Sequence, residues 1–229
     1  MQYNKHILKK GSKSYIQKGA VSMGNYVITI GREFESLGRD VGLKLSEQLG
    51  IKCYDKELLS RAAKESGLCE EIFHSQDEKP TSSFLYSLVM DTYSATGYTA
   101  APFLDMPLNH KIFLAQFDTI KKLAEEESCI IVGRCADYAL SDFPRTINTF
   151  IHADIEFRIK NTMNEFGVSE SKAKDMINKK DKQRSSYYNY YSNKKWGNSR
   201  SYDLTLNSAK LGVDGCVDMI LMYKKLMHY

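Results

Sequence analysis

The stretch Tyr26–Asp40, YVITIGREFESLGRD, constrains this chain more than any other. Tyr26 to Ile30 is an apolar run rich in β-branched and aromatic residues and reads as a buried strand. Gly31 and Gly38 bracket a loop. Val41, Leu45 and Leu49 then recur at i, i+4 and i+8, one face of a helix, and Gly50 sits where its C-cap belongs. A strand, a glycine-bounded loop and a helix can cradle phosphate, because free N–H groups at the helix start and the helix dipole both favour an anion. The usual phosphate loop is G-x-x-x-x-G-K-[ST]. Here the loop from Gly31 to Gly38 is longer, Arg39 stands where lysine is expected, and Asp40 stands where Ser or Thr is expected. Arg39 still places a cation with several donors on a phosphate. Asp40 is a poor neighbour for an anion unless a magnesium ion bridges the two. An ordinary strand–loop–helix start of an α/β protein is the competing reading of the same residues.

Apolar patterning continues the alternation. Ile51–Tyr54 reads as a short strand ending at Asp55, and Leu58, Leu59, Ala62 and Ala63 form the apolar face of the next helix, with Arg61 alongside. Asp55 could be that helix's N-cap, and Arg61 a solvated charge. Glu70–Pro80 is polar and acidic, a linker, and Thr81–Leu108, broken by Pro102 and Pro107, reads as an insert or lid. His110–Glu127 is a helix with a stripe of Phe113, Phe117, Ile120 and Ala124. It leads into Cys129–Val132, an all-apolar run typical of a central parallel strand, with Gly133, Arg134 and Asp137 just beyond it.

Asn148–Ala153 is a further strand, and Asp154 is placed to cap a helix carrying Arg158. A second helix starts near Ser169, with Ala173, Met176 and Ile177 on one side and the basic run Lys179, Lys180, Lys182 and Arg184 on another. Tyr187, Tyr188, Tyr190 and Tyr191 follow, a mixture of basic and aromatic residues that could bind nucleic acid or cover a triphosphate as a mobile arm. Tyr202–Leu206 is the last strand, and Gly212–Met227 a closing helix. Strands alternating with helices predict an α/β fold, a doubly wound, five-stranded parallel sheet covered on both faces. Ligands of such sheets bind at the C-terminal strand edge, and Arg39, Asp55, Arg134 and Arg158 all follow strands.

Composition removes several classes. At 229 residues the chain is one domain with an insert. A net charge of +4 suits an anionic small ligand without demanding nucleic acid. The five cysteines form no C-x-x-C pair, which argues against a zinc site or disulfide framework and for a reducing, cytoplasmic setting. No apolar stretch approaches the roughly 20 residues of a membrane helix, so no membrane partner is expected. Residues 1–24 are basic and polar without a signal-peptide core, and are expected to be a flexible extension ahead of one domain over 25–229.

Four pieces together, ITIGREFESLGRDVG, YDKELL, IIVGRCADY and DKQRSSYYNYY through SYDLTLNSAKLGVDGCVDMI, resemble the nucleoside monophosphate kinases, specifically their cytidylate kinase-like branch, from about Tyr26 to the C-terminus. Members of this branch often carry such a lengthened loop with arginine in place of lysine. The resemblance implies an ATP- and magnesium-dependent kinase of CMP or dCMP. It implies that Gly31, Arg32, Ser36, Gly38, Arg39 and Asp40 belong to the donor phosphate loop, with magnesium held through Ser36 or Asp40. It implies that Asp55, Arg61, Arg134 and Asp137 contact the acceptor, Arg134 at its phosphate and Asp137 at its base. The catalytic set would be Arg39, Arg134, Arg158 and Arg184. Lys180, Asp181 and Arg184 resemble the lid, about 178–200, and the insert at about 70–108 would be the acceptor-binding subdomain. Asn161 replaces an arginine often found a helical turn after Arg158. A nucleotide-binding regulator without turnover, or a nucleic-acid-binding protein using the Lys/Tyr segment, are the alternatives.

Overall fold

A computed structural model describes residues 24–67, 69–78 and 107–229. The basic extension and most of the expected insert lie outside the described residues. The order of elements is β1 (Val27–Arg32), α1 (Gly38–Leu49), β2 (Lys52–Tyr54), α2 (Lys56–Ser66), α3 (Glu70–Gln76), α4 (Leu108–Glu126), β3 (Cys129–Val132), α5 (Ala136–Ala139), β4 (Thr146–His152), α6 (Ile155–Phe166), α7 (Glu170–Ser192), β5 (Leu204–Asn207) and α8 (Ser208–Leu226). The strands form one sheet in the order β2-β3-β1-β4-β5, and every pairing is parallel.

Strand alternation builds both layers of the core. Ile28, Ile30, Ile130 and Val132 point to one face, where Val41 and Leu45 of α1 and Val217 and Ile220 of α8 cover them. Val27, Cys129 and Ile131 point to the other, against Leu58 of α2, Ile120 and Leu123 of α4, and Ala136 of α5. Burial of β1 and β3 on both faces explains their unbroken apolar runs. Each expected strand and helix is present within a few residues, but Glu70–Gln76, expected to be part of a linker, forms the helix α3. The closing helix is kinked at Gly212, whose φ of 68° and ψ of 178° interrupt it near the expected start.

The order also fixes where a ligand can go. The connection after β1 runs toward β2, and the one after β3 crosses to β4, so the chain leaves these neighbours in opposite directions. The crevice between their C-terminal ends is the topological switch point.

Candidate functional site

The loop after β1 is shorter than its glycines suggest. Gly31 and Arg32 are still in the strand, with Gly31 opposite Phe150, so the turn proper runs from Glu33 to Leu37. Glu35 and Leu37 are left-handed, with φ of 58° and 60°. Non-glycine residues held there next to the start of a helix make a strained turn of the kind that can cradle an anion, although its Glu33 and Phe34 N–H groups are already taken by Ile151 O and Asp181. Gly38 is required because α1 begins against the strand: a Cβ there would lie 2.5 Å from Arg32 Cβ. Around this turn an open cleft is lined by Arg32, Phe34, Glu35, Gly38, Arg39, Asp40, Asp55, Glu165 and Arg184, among others. Arg39 projects at its mouth, its side chain 57% exposed, and donates from Nε to Asp55 Oδ2 at 3.1 Å.

Three features hold the turn in shape. Arg158 of α6 is buried, donates from Nε to Phe34 O at 2.9 Å, and pairs with Glu33 Oε2 at 3.1 Å and with Asp181. Asp181 of α7 accepts the Phe34 N–H at 2.8 Å. Asn161 donates to Glu35 O at 3.2 Å, one turn from Arg158, so the residue in the place of the expected arginine also meets the loop.

A second, tight pocket opens at the switch point, between the ends of β1 and β3, with Tyr187, Tyr188, Trp196 and Tyr202 as an aromatic wall. Gly133, Arg134 and Cys135 are three consecutive left-handed residues, with φ of 78°, 52° and 55°. This strained turn folds the Arg134 side chain back over its own strand. Its Nη1 donates to Val132 O at 2.7 Å and to Asp55, and Asp77 takes its Nε at 3.1 Å and Nη2 at 2.8 Å. Burial works against the Arg134 charge, but Asp77, Glu78 and Asp55 outweigh it and raise its pKa. Burial likewise pushes the Asp55 carboxyl up, and Arg134 with Arg32 and Arg39 more than offsets this, leaving it below its ordinary value. Beside Arg134, Glu78 is buried between Arg32 Nη1 at 2.8 Å and Arg184 Nε at 3.2 Å. Arg184 is pushed down to about 10 by burial first and by Arg32 next. At the aromatic end, burial raises the Asp137 carboxyl while the Tyr188 hydroxyl, donating at 2.6 Å, and Lys194, at 3.9 Å, pull it back.

Several expected placements change. Ser36 is fully buried, its hydroxyl 3.0 Å from both Glu33 O and Ile151 O, so it braces the turn and offers no metal ligand. Arg61 pairs with Glu65 and with Glu126, the last residue of α4 before β3 begins. By that point α2 has run to the opposite edge of the sheet, away from both pockets. Asp55 makes no cap bond to α2 and serves the arginines instead, while Asp154 accepts from Asn207 at 2.9 Å and does not cap α6. Lys180 is exposed and lines neither pocket. Tyr187, Tyr188 and Tyr191 are buried, and Tyr191 stacks on Phe113 with centroids 3.9 Å apart, so the supposed mobile arm is a helix packed on α4, with Tyr187 and Tyr188 turned to the second pocket. Sequence reasoning missed Asp77, Glu78 and Glu33. The first two sit in a stretch with the composition of any polar linker, and nothing local marks them.

A tight turn between β1 and α1 on a parallel sheet, with one cleft around it and a second pocket at the switch point, is the fold of the P-loop kinases. The chain belongs to the cytidylate kinase-like family, whose profile matches residues 27–210. It is therefore a kinase acting on a nucleotide or other small molecule. A crystal structure of an uncharacterized protein from Eubacterium ventriosum ATCC 27560 is similar, at 35% identity over 87% of this chain and 98% of that one, with a TM-score of 0.65. Shikimate kinase from Bacteroides thetaiotaomicron shares the fold, at 10% identity over 89% and 99% of the two chains and a TM-score of 0.50. No curated protein matches the chain in sequence. Among the described residues no helix is long and apolar enough to cross a membrane.

Proposed function

We propose that the chain transfers the terminal phosphoryl group of ATP to a nucleoside monophosphate, with CMP and dCMP the first candidates. One observation carries this reading: the loop cleft and the switch-point pocket share Arg32 and Arg184. A donor phosphate in the first and an acceptor phosphate in the second would meet between those two guanidinium groups. Phosphoryl transfer asks chiefly for in-line placement, cations over the developing charge and exclusion of water. Arg39 and the turn's remaining N–H groups would hold the donor. Arg32 and Arg184 would face the moving group, and Arg134 would hold the acceptor. Arg158 and Asp181 would position the loop against α7. Asp137 and Tyr188, at the aromatic end, would meet a base.

The residues present fit a magnesium ion bound along with the phosphates. Glu35, Asp40 and Glu165 line the donor cleft, and Glu35 is raised by burial, then by Glu165 and Asp40. Among the described residues no three such groups converge closely enough to hold a metal ion by themselves, so magnesium would enter on the ATP phosphates. Asp40 and Glu35 would help hold the ion there, which would supply neutralisation of phosphate charge.

The test is ADP release with ATP and magnesium over a panel of CMP, dCMP, UMP, AMP, GMP and shikimate, beside a no-acceptor control. CMP or dCMP should give the highest kcat/KM. A higher value for another acceptor overturns the proposed substrate. ATP binding without turnover on any acceptor would favour a nucleotide-binding regulator.

A further inference from the structure

The described chain after α3 ends in a turn, Asp77–Glu78, at the centre of the arginine-lined pocket. Among the described residues, the side-chain bonds of this turn go to the site. Asp77 grips Arg134 with both carboxylate oxygens, Glu78 bridges Arg32 and Arg184, and Gln183 of α7 donates to Asp77 O at 3.1 Å. Glu78 is only 9% exposed, and its φ of 52° is a conformation that glutamate seldom adopts, so its pairing holds the backbone there. The two carboxylates together carry the charge of a phosphate dianion. They sit on planar guanidinium forks, the donors best matched to phosphate.

We propose that the Asp77–Glu78 turn is a built-in anion occupying the acceptor's phosphate position, which the acceptor must displace to bind. The inference rests on the pocket being the acceptor side, as read above, and adds how it is guarded and which anion it takes. With the turn withdrawn, Arg32, Arg134 and Arg184 lose two carboxylates, leaving Asp55 on Arg134 and Asp137 at the aromatic end of the pocket. A phosphate dianion restores the balance with one group. A monocarboxylate acceptor replaces one of two lost charges and leaves a guanidinium unmatched. The guard also keeps Arg32 and Arg184 engaged until an acceptor arrives, so ATP alone meets an incomplete set of cations.

The experiment titrates inorganic phosphate, and separately acetate, into the full wild-type chain and Glu78→Gln by calorimetry. Amide exchange at residues 77–78 is followed in the wild type. Removing the competing charge should tighten phosphate by ~10-fold or more, because apparent affinity scales with the fraction of open pocket. Acetate should bind the variant at least ~10-fold more weakly than phosphate, reflecting the lost charge-assisted bonds. Saturating phosphate should speed exchange at 77–78. Phosphate affinities equal within about twofold, acetate as tight as phosphate, or no phosphate binding to either form overturns the proposal. Should Glu78→Gln fail to fold, exchange in the wild type decides alone, and unchanged rates under phosphate count against it. No nucleotide enters these titrations, so failure of the CMP assay and failure of this idea are read separately.

Discussion

Arg158→Met tests whether the loop and α7 are held by one buried cation. The native guanidinium, 5% exposed, joins Glu33, Asp181 and the Phe34 carbonyl. Methionine fills much of the same volume, so the loss is chiefly electrostatic. Stripping the cation from a buried pair costs about 3–5 kcal/mol when the remaining charge has no other partner. Here Asp181 keeps the Phe34 N–H and Glu33 keeps the Ala153 N–H at 3.1 Å, which lowers the expected cost to about 2–4 kcal/mol. At about 2–4 °C per kcal/mol for a chain of this size, Tm should fall by about 4–16 °C. Asp181→Asn should cost less, about 1–2 kcal/mol, because Glu33 still neutralises Arg158. The double variant should fall short of the sum of the singles by at least about 1 kcal/mol, as expected for residues in direct contact. Calorimetry on the four proteins gives the cycle, and ADP-release kinetics should show kcat/KM for ATP down by about 10²-fold in Arg158→Met, the scale of a misplaced reacting group. A Tm within 2 °C of wild type, on the order of 1 kcal/mol or less, or additive singles and double, would refute the argument.

Arg39→Ala should lower kcat/KM by at least ~100-fold with little change in Tm, since it removes an exposed donor-side cation; near-normal turnover would sink its role. Arg61→Ala should leave kinetics unchanged and cost under about 1 kcal/mol, because it breaks surface pairs on the far side of the sheet; a rise in acceptor KM would restore Arg61 to the site. His110 is fully buried on α4 beside Tyr190 and Tyr191, and burial pushes its pKa down to about 4. The unfolded chain, with a histidine near 6.5, therefore binds more protons between those values, and stability should decline as pH falls from about 6.5 to 4. Denaturant titrations of wild type and His110→Phe across that range should show a shallower acid decline in the variant; parallel curves would contradict the assignment.

The fold was legible because its signals are local. The central strands β1 and β3 are buried on both faces, so they appear as unbroken apolar runs, and the helices carry their stripes at the right period. The site was legible where chemistry follows a strand directly, as with Arg39, Asp55, Arg134 and Asp137. It failed where the partner is remote in sequence. Nothing around Arg61 tells that α2 has carried it to the far edge. Nothing around Ser36 tells that the turn points its hydroxyl at Ile151, 115 positions away. The tyrosines after Arg184 looked like a binding face because their true neighbour, Phe113 of α4, lies more than 70 residues upstream.

The same reasoning bears on arginine in the place of the loop lysine. A lysine would bring a compact charge from the start of α1 to the phosphates. Arg39 lies farther out, 57% exposed and tethered to Asp55, which in turn contacts Arg134. One carboxylate thus links the cation of the proposed donor side to that of the proposed acceptor side. A phosphate drawing Arg39 inward would loosen its hold on Asp55 and leave Asp55 to Arg134, whereas an acceptor taking Arg134 would free Asp55 for Arg39. The two substrates' affinities should therefore be coupled through Asp55, reciprocally and by the same factor. Asp55→Asn, which keeps the shape and removes the charge, should abolish most of that coupling while the fold persists. Measuring the Kd of each nucleotide with and without the other checks this, and coupling that survives in Asp55→Asn would mean the clefts communicate by another route.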